Sequence, residues 1–296
     1  MKTGIDMLAQ SFSNCNQDCL SIREFNMLSS FINSYIGIRM PSSKMKVLES
    51  RLRKRLRDLQ IESFKDYCNY LFSDEGMEKE LTNFINVVTT NKTDFFRGPS
   101  HFQYLFIKVL PEFLEASCTG IKNRLLLWSA ACSRGNEAYS IALVLSEYSK
   151  RNPGVKFDYT ILATDISTAV LEEARRAIYQ SKEIEPVPRE LRMKYFMKSI
   201  NPENKLVRIV PELRSKIRFR RLNLMDDDFQ FREQMDVIFC RNVFIYFDKK
   251  TQNDLTERLC DKLRPNGYLF MGNSEMLCCR DLPLVSVAPS IYKKII

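Results

Sequence analysis

RLLLWSAACSRGNE, residues 124–137, is the stretch on which the fold turns. Its first seven residues form an apolar run of strand length. The small residues after them turn the chain into a helical stretch over 137–150. A second strand is predicted over 159–163, closing on Thr164-Asp165, with a helix over 168–179. Further strands are predicted over 217–222, 236–240 and 267–272, with a helix over 249–263 between the last two. Strands and helices alternating at these lengths predict an α/β fold with a mostly parallel, doubly wound sheet. Residues 286–295 are expected to add an edge strand.

Outward from this core the pattern changes twice. Between Tyr179 and Lys216 lie Pro186, Pro188, Pro202 and Pro211, and two short runs, 195–198 and 206–210, flank the turn Asn201-Pro202-Glu203-Asn204. That predicts a small antiparallel β-subdomain inserted at about 181–216. Upstream, residues 22–117 are helical in pattern and nearly free of glycine, while residues 1–20 are a polar, patternless arm. The expected organisation is an arm over 1–20, an all-α N-terminal domain over 21–118 and the sheet domain over 119–296.

In the helical region Leu48, Leu52, Leu56 and Leu59 make one apolar stripe. Around it stand Lys44, Lys46, Arg51, Arg53, Lys54, Arg55 and Arg57, against only Glu49 and Asp58. A solvated face is the ordinary reading of such a run. Like charge this dense also fits a docking surface for acidic helices, carried by Arg51, Arg53, Lys54, Arg55 and Arg57.

Composition narrows the function. The 296 residues are 45% hydrophobic and carry a formal charge of +9, so a sizeable core and an acidic partner are both expected. No apolar run reaches the roughly 18 residues of a membrane span, and the N-terminus has no charged-then-apolar signal region, so a cytoplasmic protein without membrane insertion is expected. The nine cysteines are scattered, as suits reduced thiols. Cys15 and Cys19 make at most half a zinc site, and His101 is the only histidine. A structural metal and a histidine-based hydrolase are therefore disfavoured, and His101 is expected to pack or cap.

The turn after the first strand, Ser129 to Glu137, contains a single glycine, Gly135. Dinucleotide folds place several glycines there so that backbone can approach a pyrophosphate. Here the turn is small but not a phosphate cradle, and no G-x-x-x-x-G-K-S/T run occurs. Asp165 ends the second strand, where a carboxylate can accept from both hydroxyls of a ribose; it could instead cap the next helix, a place Ser167 could equally fill. Together the turn and the acid point to an adenosine-type ligand without phosphates, a description that S-adenosyl-L-methionine meets.

The motifs around these positions resemble those of the CheR-type chemotaxis receptor glutamate O-methyltransferases. The resemblance is carried by Thr89-Thr90-Asn91-Lys92-Thr93-Asp94-Phe95-Phe96-Arg97 with His101-Phe102, by Trp128-Ser129-Ala130-Ala131-Cys132-Ser133 with Gly135 and Glu137, and by Ile161-Leu162-Ala163-Thr164-Asp165-Ile166-Ser167. It continues through Asn223-Leu224, Phe239-Cys240-Arg241-Asn242-Val243-Phe244-Ile245-Tyr246-Phe247-Asp248 and Gly272-Asn273-Ser274-Glu275. It implies a Rossmann-like methyltransferase domain with an all-α N-terminal domain, using S-adenosyl-L-methionine and releasing S-adenosyl-L-homocysteine. Asn91, Thr93, Arg97, Glu137, Asp165, Asn223, Leu224, Arg241 and Asn242 match cofactor-binding positions, and Arg97 and Tyr246 match the residues nearest the reacting methyl. The implied substrate is a glutamate in the cytoplasmic domain of a chemotaxis receptor. The helical N-terminal region, taken to include Asn91, Thr93 and Arg97, is then expected to close over the methionine end of the cofactor.

Three departures stand out. Asn136 and Ala138 replace the family's Glu and Pro, Asn273 replaces its His, and the loop from Ser199 to Lys205 lacks glycine. The last disfavours tethering to a receptor's C-terminal pentapeptide and leaves the basic helix as the expected dock. An RNA methyltransferase and a non-catalytic cofactor-sensing docking module are the alternatives. No nucleic acid partner is expected, because residues 44–57 carry no aromatic residue for base stacking.

Overall fold

Ser21 starts the first helix with a reciprocal cap: its hydroxyl accepts from the Glu24 amide while the Glu24 carboxylate accepts from the Ser21 amide. Two donors that a helix start leaves open are thereby satisfied. The computed structural model describes residues 19–117, 124–153, 157–277 and 282–295, so the arm expected over 1–20 lies, except for its end, outside the described residues. The chain divides into two compact units, 1–88 and 89–296.

The first unit holds α1 (Ile22–Ile36), α2 (Met45–Leu59), α3 (Phe64–Leu71), α4 (Asp74–Lys79) and α5 (Leu81–Val88). Leu48, Leu52 and Leu56 of the expected stripe are buried, as are Phe25, Leu28, Ile32, Phe64 and Phe84. The division at 88/89 falls well before the boundary expected at 118. Helices α6 (Pro99–Tyr104) and α7 (Leu110–Ser117), joined by a π-helical turn over Leu105–Val109, explain why. They bury Phe102, Leu105, Val109 and Leu110 in one core with Leu127, Phe239 and Phe270 of the sheet. Apolar burial, not helical character, assigns them to the second unit.

That unit continues through β1 (Arg124–Ala130), α8 (Asn136–Arg151), β2 (Asp158–Asp165), α9 (Thr168–Arg176), β3 (Ile178–Gln180), α10 (Arg189–Tyr195), β4 (Phe196–Lys198), β5 (Leu206–Ile209), α11 (Pro211–Arg214) and β6 (Ile217–Arg221). It ends with β7 (Met235–Cys240), α12 (Lys249–Asp261), β8 (Leu263–Met271), β9 (Leu284–Ala288) and β10 (Ile291–Lys294). Seven strands form one sheet in the order β6-β2-β1-β7-β8-β10-β9. The pairs from β6 to β8 are parallel, and β10 runs antiparallel to both β8 and β9. This is the doubly wound sheet expected, with a closing hairpin where one edge strand was anticipated. Every residue of the interior strand β7 is buried, whereas the edge strand β6 carries Arg218, Arg220 and Arg221. Strands covered on both faces read as continuous apolar runs, and charge blunts an edge.

β3, β5 and β4 form the small antiparallel sheet. It starts earlier than expected, because α9 ends at Arg176, not Tyr179. Ala177 takes the left-handed conformation, φ 54°, and releases Ile178–Gln180 as a strand. From β1 the chain winds to β2 and then β6 on one side, and afterwards crosses to β7 and β8 on the other. The sheet's crevice therefore opens at the C-terminal ends of β1 and β7.

Candidate active site

The turn after β1 doubles back on itself: Ala131, Ser133 and Gly135 have φ of 57°, 51° and 84°. A Cβ at Gly135 would press on the Ala174 Cβ at 3.0 Å and the Tyr139 ring at 3.2 Å, so the turn's glycine sits where space is shortest. Three of its amides are already used. Cys132 donates to the Thr164 carbonyl at 2.9 Å, Ser133 to Asp165 Oδ2 at 2.9 Å and Gly135 to the Cys132 carbonyl at 3.0 Å. A phosphate would need such donors free.

Asp165 is buried at the end of β2 and accepts from the Ser133 amide and, through Oδ1, from the Ser167 amide at 3.0 Å. Ser167, not Asp165, caps α9. Burial raises the Asp165 carboxyl pKa while the amides of Ser167, Ser133 and Ile166 draw it back. Each carboxylate oxygen keeps a lone pair for a further donor such as a ribose hydroxyl. Beside it the Leu222 amide donates to the Asp165 carbonyl at 3.0 Å, which brings the buried Leu224 and the half-buried Asn223 to the same end of the sheet. Asn223 Oδ1 accepts from the Met225 amide and shapes that turn.

Across the crevice Arg241, just past β7, pairs with Glu137 at 3.2 Å, and both are largely buried. The Ser129 hydroxyl donates to the other Glu137 oxygen at 2.7 Å. Burial raises the Glu137 carboxyl pKa, with Arg241 and Ser129 opposing it. The second terminal nitrogen of Arg241 donates to the Arg97 carbonyl, and its guanidinium lies 5.6 Å from the Phe102 ring. Gly98, at φ 69°, makes room, since a Cβ there would meet Arg241 Nη2 at 2.5 Å. The segment carrying Asn91, Thr93 and Arg97 thus belongs to the sheet's own unit and is pinned to it. Ser133 Oγ donates to the Asn91 carbonyl at 2.9 Å, and the Phe96 amide donates to Ser140 Oγ at 2.9 Å. The Arg97 side chain is exposed, its Nη1 3.3 Å from the Lys92 carbonyl, and Thr93 is half-buried.

Glu275 follows β8, at the end of Gly272-Asn273-Ser274-Glu275. Its buried carboxylate accepts from the amides of Asn242 at 2.9 Å, Gly272 at 2.7 Å and Ile245 at 3.3 Å. It ties the loop after β8 to the loop after β7, holding Asn242 at φ 60° and starting the 3₁₀ turn Phe244–Tyr246 on which the half-buried Tyr246 sits. Its signal in the sequence was a glycine three residues before an acid just past an apolar strand. His101 packs, as expected: it is buried edge-on to Phe270, bonded to the Pro289 carbonyl, and burial, aided by Arg241, lowers its pKa to about 4.

The basic helix α2 differs from expectation. Arg55 makes a two-pronged pair with the buried Glu80, at 2.8 and 2.7 Å. Arg51 donates to the Val88 carbonyl at 2.6 Å, and Arg53 pairs with Glu49 at 2.5 Å. Arg51 and Arg55 tie α2 to the rest of the helical unit, and Arg53 pairs within α2, because buried carboxylates and open helix-end carbonyls had to be matched. Lys54 and Arg57, with Lys46, remain on the exposed face. Among the described residues no group of His, Cys, Asp or Glu could hold a metal ion, and no helix is long and apolar enough to cross a membrane. Cys15 of the half-site considered above lies outside the described residues.

Two largely buried carboxylates beside a turn that has spent three of its amides disfavour a phosphate and suit a cationic, phosphate-free nucleoside. With the sheet order, this defines the class: a Rossmann-like methyltransferase with a site for S-adenosyl-L-methionine. The chain belongs to the CheR methyltransferase family. The family's SAM binding domain matches residues 91–287 and its all-alpha domain residues 23–89. Similar curated proteins include the chemotaxis protein methyltransferase of Borreliella burgdorferi, 37% identical over 92% of this chain and 94% of its own length. Chemotaxis protein methyltransferase 2 of Pseudomonas aeruginosa is 38% identical over 94% of this chain and 95% of its own. The chemotaxis protein methyltransferase of Escherichia coli is 37% identical over 86% and 85%.

Proposed function

We propose that this methyltransferase is a cytoplasmic enzyme that esterifies glutamate side chains in the cytoplasmic domain of a chemotaxis receptor, releasing S-adenosyl-L-homocysteine. The observation that carries the reading is Arg97: its backbone carbonyl is fixed by Arg241 while its guanidinium is exposed. A cation held out from a rigid base suits an anionic acceptor. The printed names of the similar proteins supply the chemotaxis setting.

When bound, S-adenosyl-L-methionine supplies a methyl on a positively charged sulfur, so the activation is the cofactor's own. Asp165 would take the ribose hydroxyls and Asn223-Leu224 would flank the adenine. Asn91, Thr93, Glu137, Arg241 and Asn242 would shape the rest of the pocket. A glutamate acceptor, with a reference pKa of about 4.3, is already ionised at neutral pH and needs no general base. Arg97 would grip the carboxylate with its planar fork and Tyr246 would orient it. The protein's contribution is alignment and exclusion of water. The receptor would be met through the exposed Lys46, Lys54 and Arg57 of α2, without tethering to a C-terminal pentapeptide, since the inserted loop lacks glycine.

The test is an incubation of the protein with methyl-labelled cofactor and receptor-containing membranes, followed by a rise in pH. Glutamyl esters release volatile methanol in base; methylated RNA or lysine does not. Base-labile label on the receptor is expected, and its absence with every receptor tried would overturn the reading.

A further inference from the structure

Beside the edge strand β6 a cleft of about 380 Å³ opens between α9 and α11. Its floor is apolar and partly aromatic: Tyr139, Phe219, Ile217 and Pro211. Two of its lining side chains are guanidinium groups, Arg175 and Arg214, and no carboxylate is among the lining residues. The Arg214 Nε is buried and has no hydrogen-bond partner. A buried donor without an acceptor carries a desolvation cost and calls for an explanation, commonly an absent ion or ligand. Arg175 spends one nitrogen on the Phe219 carbonyl at 3.2 Å and another on the largely exposed Glu172 at 2.6 Å, a surface pair that a stronger anion can displace.

We propose that this cleft binds a small organic phosphate bearing a planar ring, that is, a nucleotide. Arg forks match phosphate oxygens two at a time. The ring of the half-buried Phe219 offers a face for a stacked base, with the fully buried Tyr139 packed behind it. The volume lies near the lower end of the roughly 300–1,000 Å³ typical of small-molecule sites, which suits one nucleotide better than a stretch of acidic peptide. The proposal stands independently of the methyl acceptor.

The test uses the full chain saturated with S-adenosyl-L-homocysteine, which blocks the cofactor pocket. Equilibrium dialysis compares labelled ATP and GTP with inorganic phosphate, adenosine and an acidic peptide. Nucleotide binding is expected, with inorganic phosphate and adenosine at least about tenfold weaker, because each supplies only half of the recognition. Arg214→Gln should weaken nucleotide binding about tenfold or more while cofactor affinity and methyl transfer stay unchanged, and Arg214→Lys should restore it only in part. Should Arg214→Gln fail to fold, Arg175→Gln, altered at a partly exposed side chain, reads the same loss. The proposal is overturned by no nucleotide binding at millimolar concentration, by binding that survives both substitutions, or by equal binding of the acidic peptide.

Discussion

Arg241 and Glu137 form a buried ion pair at 3.2 Å, and the same guanidinium reaches back to the carbonyl of Arg97. Residues from three separate stretches of the chain are thereby locked into one geometry. The pair is a fixed joint more than a source of net stability, since a buried pair's attraction is largely offset by desolvation.

Removing one member should therefore cost far more than removing both. Arg241→Met is expected to destabilise the protein by about 3–5 kcal/mol, because Glu137 is left buried without its partner. Adding Glu137→Gln should recover much of that loss in thermal unfolding yet leave cofactor affinity low. Recovery of cofactor binding in the double variant would show that the pair is not part of the pocket.

Gly98→Ala tests the same joint without touching a charge. The residue sits at φ 69°, and its new Cβ would collide with the Arg241 guanidinium. Strain of about 1–2 kcal/mol is expected from the backbone alone. The displaced guanidinium should add a rise in cofactor dissociation constant, read by titration calorimetry. A variant that loses stability but binds cofactor as wild type would separate Arg241 from the pocket.

On α2 the structure separates two kinds of cation. Arg55→Glu would face the buried Glu80 and should unfold the helical unit, seen as loss of a cooperative transition. Lys54→Glu with Arg57→Glu, both on the exposed face, should leave stability within about 0.5 kcal/mol. That pair should lower receptor methylation severalfold, and raising the salt should narrow the difference, since exposed charges are screened over about 8–10 Å. Unchanged methylation in this variant would remove α2 as the dock.

This distinction was beyond the sequence. The leucine stripe and the crowd of arginines were legible because they repeat locally, at helical spacing. Arg55's partner is Glu80, 25 residues away, and Arg241's is Glu137, 104 residues away; only the fold brings them together. Asp165 was legible as a strand-end acid, and the structure settles its rivalry with Ser167 by giving the cap to the serine. The end of α9 was not, because Ala177 adopts a left-handed turn that carries no glycine or asparagine to announce it. Likewise the helical pattern over 99–117 was real, but helicity does not say which core a helix packs on.

The single histidine offers a pH test with an unambiguous signal. His101 is buried, and burial with nearby Arg241 lowers its pKa to about 4. In the unfolded chain it should titrate near about 6.5. Between those values the unfolded state binds the proton and the folded state does not, so stability contributed at this site is full above about pH 6.5 and falls as the pH drops toward 4. The fall amounts to about 3 kcal/mol at most. Asp236, whose pKa is raised to about 6 by burial, acts in the opposite sense over the same range. The histidine's share must therefore be read as the difference between wild type and His101→Gln, which should shrink as the solution is acidified. Directly, the imidazole carbon-bound proton resonances of the folded protein should shift with a midpoint near 4; a midpoint between 6 and 7 would mean that the ring is not held neutral beside Arg241.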